Sequence, residues 1–334
     1  MKALVTGATG FLGSAVVREL LRNGEEVRVL VRPNANRLNL QGLDVEETSG
    51  DITDFDSVRR AVRGCDRVYH VAALYTMADP PQAYYRINVE GTRNVLRACL
   101  EADVRRVVHT STIAAVGSAR GGRSADEETV WDLGEFFLPY VTTKYLAEVE
   151  AWRACARGLP VVVVNPTAPM GERDLKPTPT GKLIVDFLNG RMPFYPRMSL
   201  NVIDADDVAA GHRFAMEKGR SGERYILGGE NVSVRQILAV LSRLTGVPAP
   251  KWPIPYSAAW VAGLFGDLVV AGLLGRSSIL SLASVRFLRR PMHASNKKAL
   301  KELGLTLTPL EDCLKKAVRW FHTHGYVKRP IQVP

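Results

Sequence analysis

The feature that most restricts the fold is the opening stretch, where a strand, a glycine turn and a helix follow one another without a gap. "KALVTG" is a short apolar strand, and "SAVVRELLRNG" sets Val16, Val17, Leu20 and Leu21 on one helical face before stopping at Gly24. Between them stand Gly7, Gly10 and Gly13. Glycines let the backbone turn tightly and approach a pyrophosphate, and the helix start offers free N–H groups. The spacing Gly-x-x-Gly-x-x-Gly differs from the Gly-x-Gly-x-x-Gly dinucleotide fingerprint, so the strand–turn–helix context carries the assignment.

The same alternation continues. Strand-like "EVRVLV", "RVYHVAA", "RRVVHTST" and "PVVVVNP" are separated by helical "DSVRRAVRGC", "YRINVEGTRNVLRACLEA" and the helix holding Tyr140. This predicts an α/β fold: a Rossmann-type doubly wound parallel sheet flanked by helices. The unbroken "VVVV" suits a strand covered on both faces. After Pro166 comes "TAPMGERDLKPTPTGK", which reads as a long functional loop. We expect a sheet domain over 1–168 with a return segment near 200–218. A smaller mixed α/β substrate lobe would be assembled from 169–199 and 219–334. Ser233 is the expected cap of a helix there, and Asp206 and Asp207 are expected caps of another.

An NAD-preferring site places an acid near the end of the second strand. Here the sequence is "VLVRPNANR", with Arg32 at that place, Arg37 nearby and no acid before Asp44. A guanidinium suits a 2′-phosphate, so NADP(H) is the favoured cofactor and NAD(H) the alternative.

Four scattered cysteines, Cys65, Cys99, Cys155 and Cys313, lack metal spacing and read as reduced thiols; with no signal peptide ahead of the first strand, a cytoplasmic protein is expected. No metal site is expected, and His322 and His324 read as surface residues. Residues 1–150 hold 18 basic and 21 acidic side chains, whereas 151–334 hold 26 and 13. The basic half could meet an anionic substrate or an acidic lipid surface, but no nucleic-acid motif accompanies it. The apolar run 257–275 is interrupted by Asp267 and four glycines, which argues for a buried helix or helix pair and leaves a peripheral membrane contact open.

With "TGATGFLGS", "GDITD", "HVAA", "NVEGTRNVL", "HTSTIAAVG", "YVTTK" and "NPTAPMG" in place, nearly the whole chain resembles the extended short-chain dehydrogenase/reductases. "VRVLVRP" and "HVAA" resemble the dihydroflavonol-reductase-like branch. "YVTTKYLAE", "KPTPTGKLIVDFLNGRMP", "DDVAAGH" and "GERYILGGEN" are similar to its hopanoid-associated sugar-epimerase subgroup. The resemblance implies a catalytic set of Thr112, Tyr140 and Lys144, with Ser111 as the fallback hydroxyl. It adds Thr9, Phe11 and Leu12 to the phosphate turn, Asp51 and Ile52 at the adenine, and Ala72 and Ala73 under the cofactor. It places Pro166 and Ala168, with Tyr140 and Lys144, beside the cofactor too. Asn88 is expected to fix backbone, and Arg289 and Arg290 sit where sugar-nucleotide epimerases keep a phosphate-binding arginine. A homodimer is also implied.

The residues fit that chemistry. Tyr140 and Lys144 lie at i and i+4 on one helix face. A phenol of pKa about 10 needs a neighbouring ammonium or the nicotinamide charge to exchange protons near neutrality. Strand alternation puts Thr110 and Thr112 on one side and Ser111 on the other. The leading reading is a carbonyl/alcohol oxidoreductase acting on a small or lipid-linked substrate, by resemblance in hopanoid metabolism. A sugar or sugar-nucleotide epimerase is the second reading, and a non-catalytic cofactor-binding scaffold or sensor the third.

Overall fold

A computed structural model describes residues 1–75, 79–119, 121–265 and 281–334. The first half builds β1 (Lys2–Thr6), α1 (Phe11–Arg22), β2 (Glu26–Val31), β3 (Glu46–Ser49), α2 (Phe55–Val62) and β4 (Arg67–His70). Then come α3 (Pro81–Tyr84), a π-helical segment Tyr85–Glu90, α4 (Gly91–Glu101), β5 (Arg106–Thr110), α5 (Pro139–Ala156) and β6 (Val161–Pro166). The second half holds β7 (Ala168–Met170), α6 (Pro179–Leu188), β8 (Phe194–Tyr195), β9 (Ser199–Asp204), α7 (Ala205–Lys218) and β10 (Arg224–Leu227). It closes with β11 (Glu230–Ser233), α8 (Val234–Thr245), β12 (Trp252–Pro253), α9 (Tyr256–Phe265), α10 (Leu282–Phe287) and α11 (Leu310–Thr323).

Seven parallel strands form the main sheet in the order β3-β2-β1-β4-β5-β6-β10. Alternate side chains feed two cores, as a doubly wound sheet requires. Ala3, Val5, Val162 and Val164 pack with Val16, Leu20 and Val208 from α1 and α7. Leu4, Val161 and Val163 pack with Val58, Val95 and Ala151 from α2, α4 and α5. All four valines 161–164 are fully buried.

The sheet domain extends further than the sequence suggested. The return segment expected to end near 218 runs on through β10, which pairs with β6 and adds the seventh strand. The stretch after Pro166 is also more ordered than a long loop. Met170 closes β7, and the buried Asp174 carboxylate accepts from the backbone N–H (2.8 Å) and hydroxyl (2.7 Å) of Thr178, just before α6. The caps differ as well. Asp204 caps α7, because a cap must precede the helix in extended backbone to reach the N–H of Asp206. Asp206 instead meets Arg173 at 2.6 Å, and Asp207 accepts from Thr308. Ser233 caps α8 in a full capping box with Gln236.

The smaller lobe carries β11-β9-β7 and the pair β12-β8. Its core joins Ile184, Phe187 and Leu188 of α6 to Ile237 and Leu241 of α8 and Leu314, Val318 and Phe321 of α11. Among the described residues no helix is long and apolar enough to cross a membrane. Residues 266–275 of the apolar run, with Asp267, lie outside the described residues.

Candidate active site

Strand order reverses between β1 and β4, and a crevice at the carboxyl ends of the strands is the ligand position in such sheets. Gly7 follows β1, Ala72 follows β4, Thr112 lies two residues past β5, and Pro166 ends β6. Gly7 has φ of 73°, and a Cβ there would lie 2.7 Å from Ala72 Cα. A Cβ on Gly13 would lie 2.1 Å from the Gly7 carbonyl oxygen. Only glycine fits either position. Gly10 is the exposed N-cap of α1, with no side-chain cap and no acid in the first turn. Thr9, Phe11 and Leu12 flank it half-buried. The turn therefore offers unclaimed N–H groups to an anion, and it fits a dinucleotide pyrophosphate.

Beyond β2 the two arginines separate. Arg37 is committed to Glu47 (2.9 Å) and to the carbonyls of Pro33 and Ala35. Arg32 is exposed, and its guanidinium has no partner among the described residues. Asp51 uses one carboxylate oxygen on the N–H and hydroxyl of Thr53, each at 2.8 Å. Ile52 is only 7% exposed. Its side chain fills the space beside Gly91, so the core takes most of the surface expected at the adenine. Ala73 is exposed, Ala72 and Ala168 are half-buried, and Pro166 is buried.

Thr112, Tyr140 and Lys144 come together. Pro139 occupies the first turn of α5, where its missing N–H costs nothing, and the helix then aims positions 140, 144 and 148 along one face. The Thr112 hydroxyl accepts from the Ala114 N–H at 3.4 Å and is near enough to the Tyr140 phenol to favour its ionised form. Lys144, 3% exposed, donates to the Thr110 carbonyl oxygen at 2.6 Å. Thr112 is distinguished from Ser111 for a reason other than strict alternation, because β5 ends at Thr110. The Thr110 hydroxyl meets His212 of α7 at 2.8 Å, while the Ser111 hydroxyl is bound by the buried Glu148 carboxylate.

The protein's own surroundings shift both groups of the pair. Burial pushes Tyr140 up to about 12, and the nearby Thr112 side chain only partly opposes it. Burial pushes Lys144 down to about 8, with Glu148 pulling it back up. Desolvation outweighs the mutual effect of the pair because the ammonium is aimed at the Thr110 carbonyl.

Several participants were missed in the sequence. Glu148 lies one turn beyond Lys144 and is held by Ser111, Asn165 (2.9 Å) and Arg224 (3.3 Å). An acid at the third step of the 140–144–148 face was the available signal. Asn88 fixes backbone as expected, accepting from Leu74 N at 2.7 Å and donating to Leu74 O and Thr143. His70 bonds Thr6 (2.8 Å) and Thr92 (2.9 Å). Thr92 gives its own proton to Asn88 O, so His70 Nε2 donates to Thr92 and Nδ1 accepts from Thr6. His109, its neighbour on β5, is equally buried with neither ring nitrogen paired among the described residues. The Tyr75 ring lies 4.7 Å from that of Tyr140. Trp131, Tyr140, Phe287 and Met292 pack around Ala114, Leu133, Phe136 and Val141.

Arg289 and Arg290 line a cavity of about 360 Å³ with Tyr195, Arg197, Arg235 and Leu288. Arg290 pairs with Glu135, and Arg289 lies over the Tyr256 ring at 4.5 Å.

A doubly wound sheet with a phosphate turn at its switch point and a Tyr–Lys pair beside it defines an extended short-chain dehydrogenase/reductase, an NAD(P)-dependent enzyme. The model of the NAD dependent epimerase/dehydratase family matches residues 3–228, and the chain belongs to that family. A Synechocystis sp. (strain ATCC 27184 / PCC 6803 / Kazusa) protein, provisionally named a dihydroflavonol 4-reductase, is 42% identical over 97% of this chain and 95% of its own. Sterol demethylase protein B of Methylococcus capsulatus (strain ATCC 33009 / NCIMB 11132 / Bath) is 37% identical over 98% of this chain and 100% of its own. The crystal structure of PA4631, a nucleoside-diphosphate-sugar epimerase from Pseudomonas aeruginosa, superposes with a TM-score of 0.82 at 30% identity, covering 98% and 99% of the two chains.

Proposed function

We propose that the protein is an NADP(H)-preferring oxidoreductase that interconverts a carbonyl and an alcohol on a small or lipid-linked substrate. The observation that carries this reading is Lys144, buried one turn along α5 from Tyr140 and held by the Thr110 carbonyl at 2.6 Å, with Thr112 close enough to act on the phenol. When bound, the nicotinamide supplies or takes the hydride. Desolvation favours the protonated phenol of Tyr140, which suits it to protonate a carbonyl oxygen undergoing reduction. Thr112 orients that oxygen, and Lys144 adds positive charge beneath the phenol and is positioned for the ribose hydroxyls. Gly7, Gly10 and Gly13 with Thr9, Phe11 and Leu12 hold the pyrophosphate. The unpaired Arg32 takes the 2′-phosphate, with Asp51 and Ala72 completing the cofactor side. A terpenoid-lipid substrate, of the hopanoid kind, is supported by the relative named for sterol demethylation. We assign the protein to the cytoplasm, as a homodimer formed through helices of the sheet domain.

The arginine-lined cavity favours a second reading, a sugar-nucleotide epimerase, because four guanidinium groups there suit a diphosphate. One experiment separates the two: identify the nucleotide that copurifies and follow its absorbance when ketone substrates are added. Net NADPH oxidation supports the reductase. Tightly held NAD that is never consumed, with a sugar nucleotide interconverted, overturns it.

A further inference from the structure

The lobe carries an apolar surface that the chemistry at Tyr140 does not use. Helix α9, "YSAAWVAGLF", has no charged residue, and Gly263 is its only buried position. Gly263 lies against the start of α10, where a Cβ would come 3.2 Å from Leu282 N. Six of its ten positions are exposed, with Val261 and Phe265 each 60% exposed and Trp260 43%, while Ala259, Ala262 and Leu264 are half-buried. A helix that is apolar all round needs an apolar partner, and this one faces outward.

The patch continues through β12 and β8. Their parallel pairing sets Trp252, 68% exposed, beside exposed Phe194, and Ile254 follows, its N–H on Tyr195 O at 2.8 Å. The segments that carry the patch are basic: 187–203, 247–265 and 281–291 contain no Asp or Glu and hold Arg191, Arg197, Lys251, Arg286, Arg289 and Arg290, of which Arg290 is paired with Glu135. Lys251, Arg286 and Arg197 are exposed with no partner among the described residues.

We propose that this face, with Phe194, Trp252, Tyr256 and Trp260 at its center, docks on an anionic lipid bilayer. Aromatic and apolar side chains enter the boundary between headgroups and acyl chains, and the basic rim meets the headgroup charge. The charge argues against a second copy as occupant, because an isologous dimer through this face sets cation against cation. The arginine cavity borders the same face through Tyr195, Leu288 and Arg289, so a lipid-linked substrate could reach the lobe from the bilayer. The docking stands independently of the reaction assigned to Tyr140.

The test is sedimentation of the full chain with vesicles of equal parts phosphatidylglycerol and phosphatidylcholine, and of phosphatidylcholine alone. Wild type should bind the anionic vesicles, lose binding as salt rises, and show a blue shift in tryptophan emission. Lys251→Glu with Arg286→Glu, and separately Trp252→Ser with Trp260→Ser, should each weaken binding by about tenfold or more. Unchanged Tm and NADPH affinity show that the variants remain folded. Absence of wild-type binding to anionic vesicles overturns the proposal. So does full binding by both variants, or a concentration-dependent dimer that the Trp252→Ser/Trp260→Ser variant abolishes.

Discussion

On the sheet side of Tyr140, polar groups are fixed by short hydrogen bonds: Lys144 at 2.6 Å, Asn88 at 2.7 Å, His70 at 2.8 and 2.9 Å. Toward the lobe, Trp131, Phe287 and Met292 meet the same region through apolar packing, and the outer face of α9 has only exposed side chains. Buried polar groups have narrow geometric solutions, whereas apolar contacts tolerate replacement of similar volume. Under the proposed function, the sheet side would be the half that holds the reacting proton, and the lobe side the half in which substrate choice could change without disturbing it.

The largest effect that would sharpen this contrast is Tyr140→Phe. Loss of the phenolic proton should lower kcat by about 10²–10⁴-fold while NADPH Kd, read by fluorescence titration, stays within about twofold. A fully active Phe variant would break the assignment at its center. Lys144 comes next. Its native pKa of about 8 lies below the ordinary 10.5, so the unfolded chain binds more protons between those values. Stability must then rise with pH across that window, and the cost of charging Lys144, about 3 kcal/mol, is fully present below pH 8. Denaturant midpoints from pH 7 to pH 10 should show a rise that Lys144→Met flattens; parallel curves would contradict the burial argument. Arg32→Ser should weaken NADPH by about 10- to 100-fold, as expected for lost bonds to a charged group, and leave NADH unchanged. Equal losses for both nucleotides would remove the basis for NADP(H). On the lobe side, Phe287→Ala should raise substrate KM only about 3- to 10-fold with cofactor affinity unchanged, since apolar contact area is lost and no hydrogen bond with it. A fall in kcat as large as that of Tyr140→Phe would show that the two sides are not separable.

The doubly wound sheet was legible because its signals are local. Gly7 and Gly13 sit where a Cβ cannot, "VVVV" is covered on both faces, and strand and helix periodicity alternate within reach of a short window. The limits of the sheet were not, because β10 earns its place only by pairing with β6, some sixty residues earlier. The caps at Asp206 and Asp207 were misplaced for a related reason. Three acids lie within four positions, and only backbone conformation tells that Asp204 precedes the helix.

Thr112 entered through the family resemblance; by itself the sequence determined that a phosphate turn opens a parallel sheet, that Tyr140 and Lys144 share one helix face, and that Arg32 stands where an acid would select NAD. These follow from chain geometry over a few residues. Tertiary structure alone decided that Ser111 is taken by Glu148, that Arg37 is spent on Glu47 while Arg32 has no partner among the described residues, and that burial favours the protonated Tyr140 phenol. Each of those depends on which groups burial removes from water and which partners distant segments bring within hydrogen-bond reach. The "YVTTK" spacing put Tyr140 and Lys144 on one face; the fold set the surroundings that the proposed proton transfer would meet.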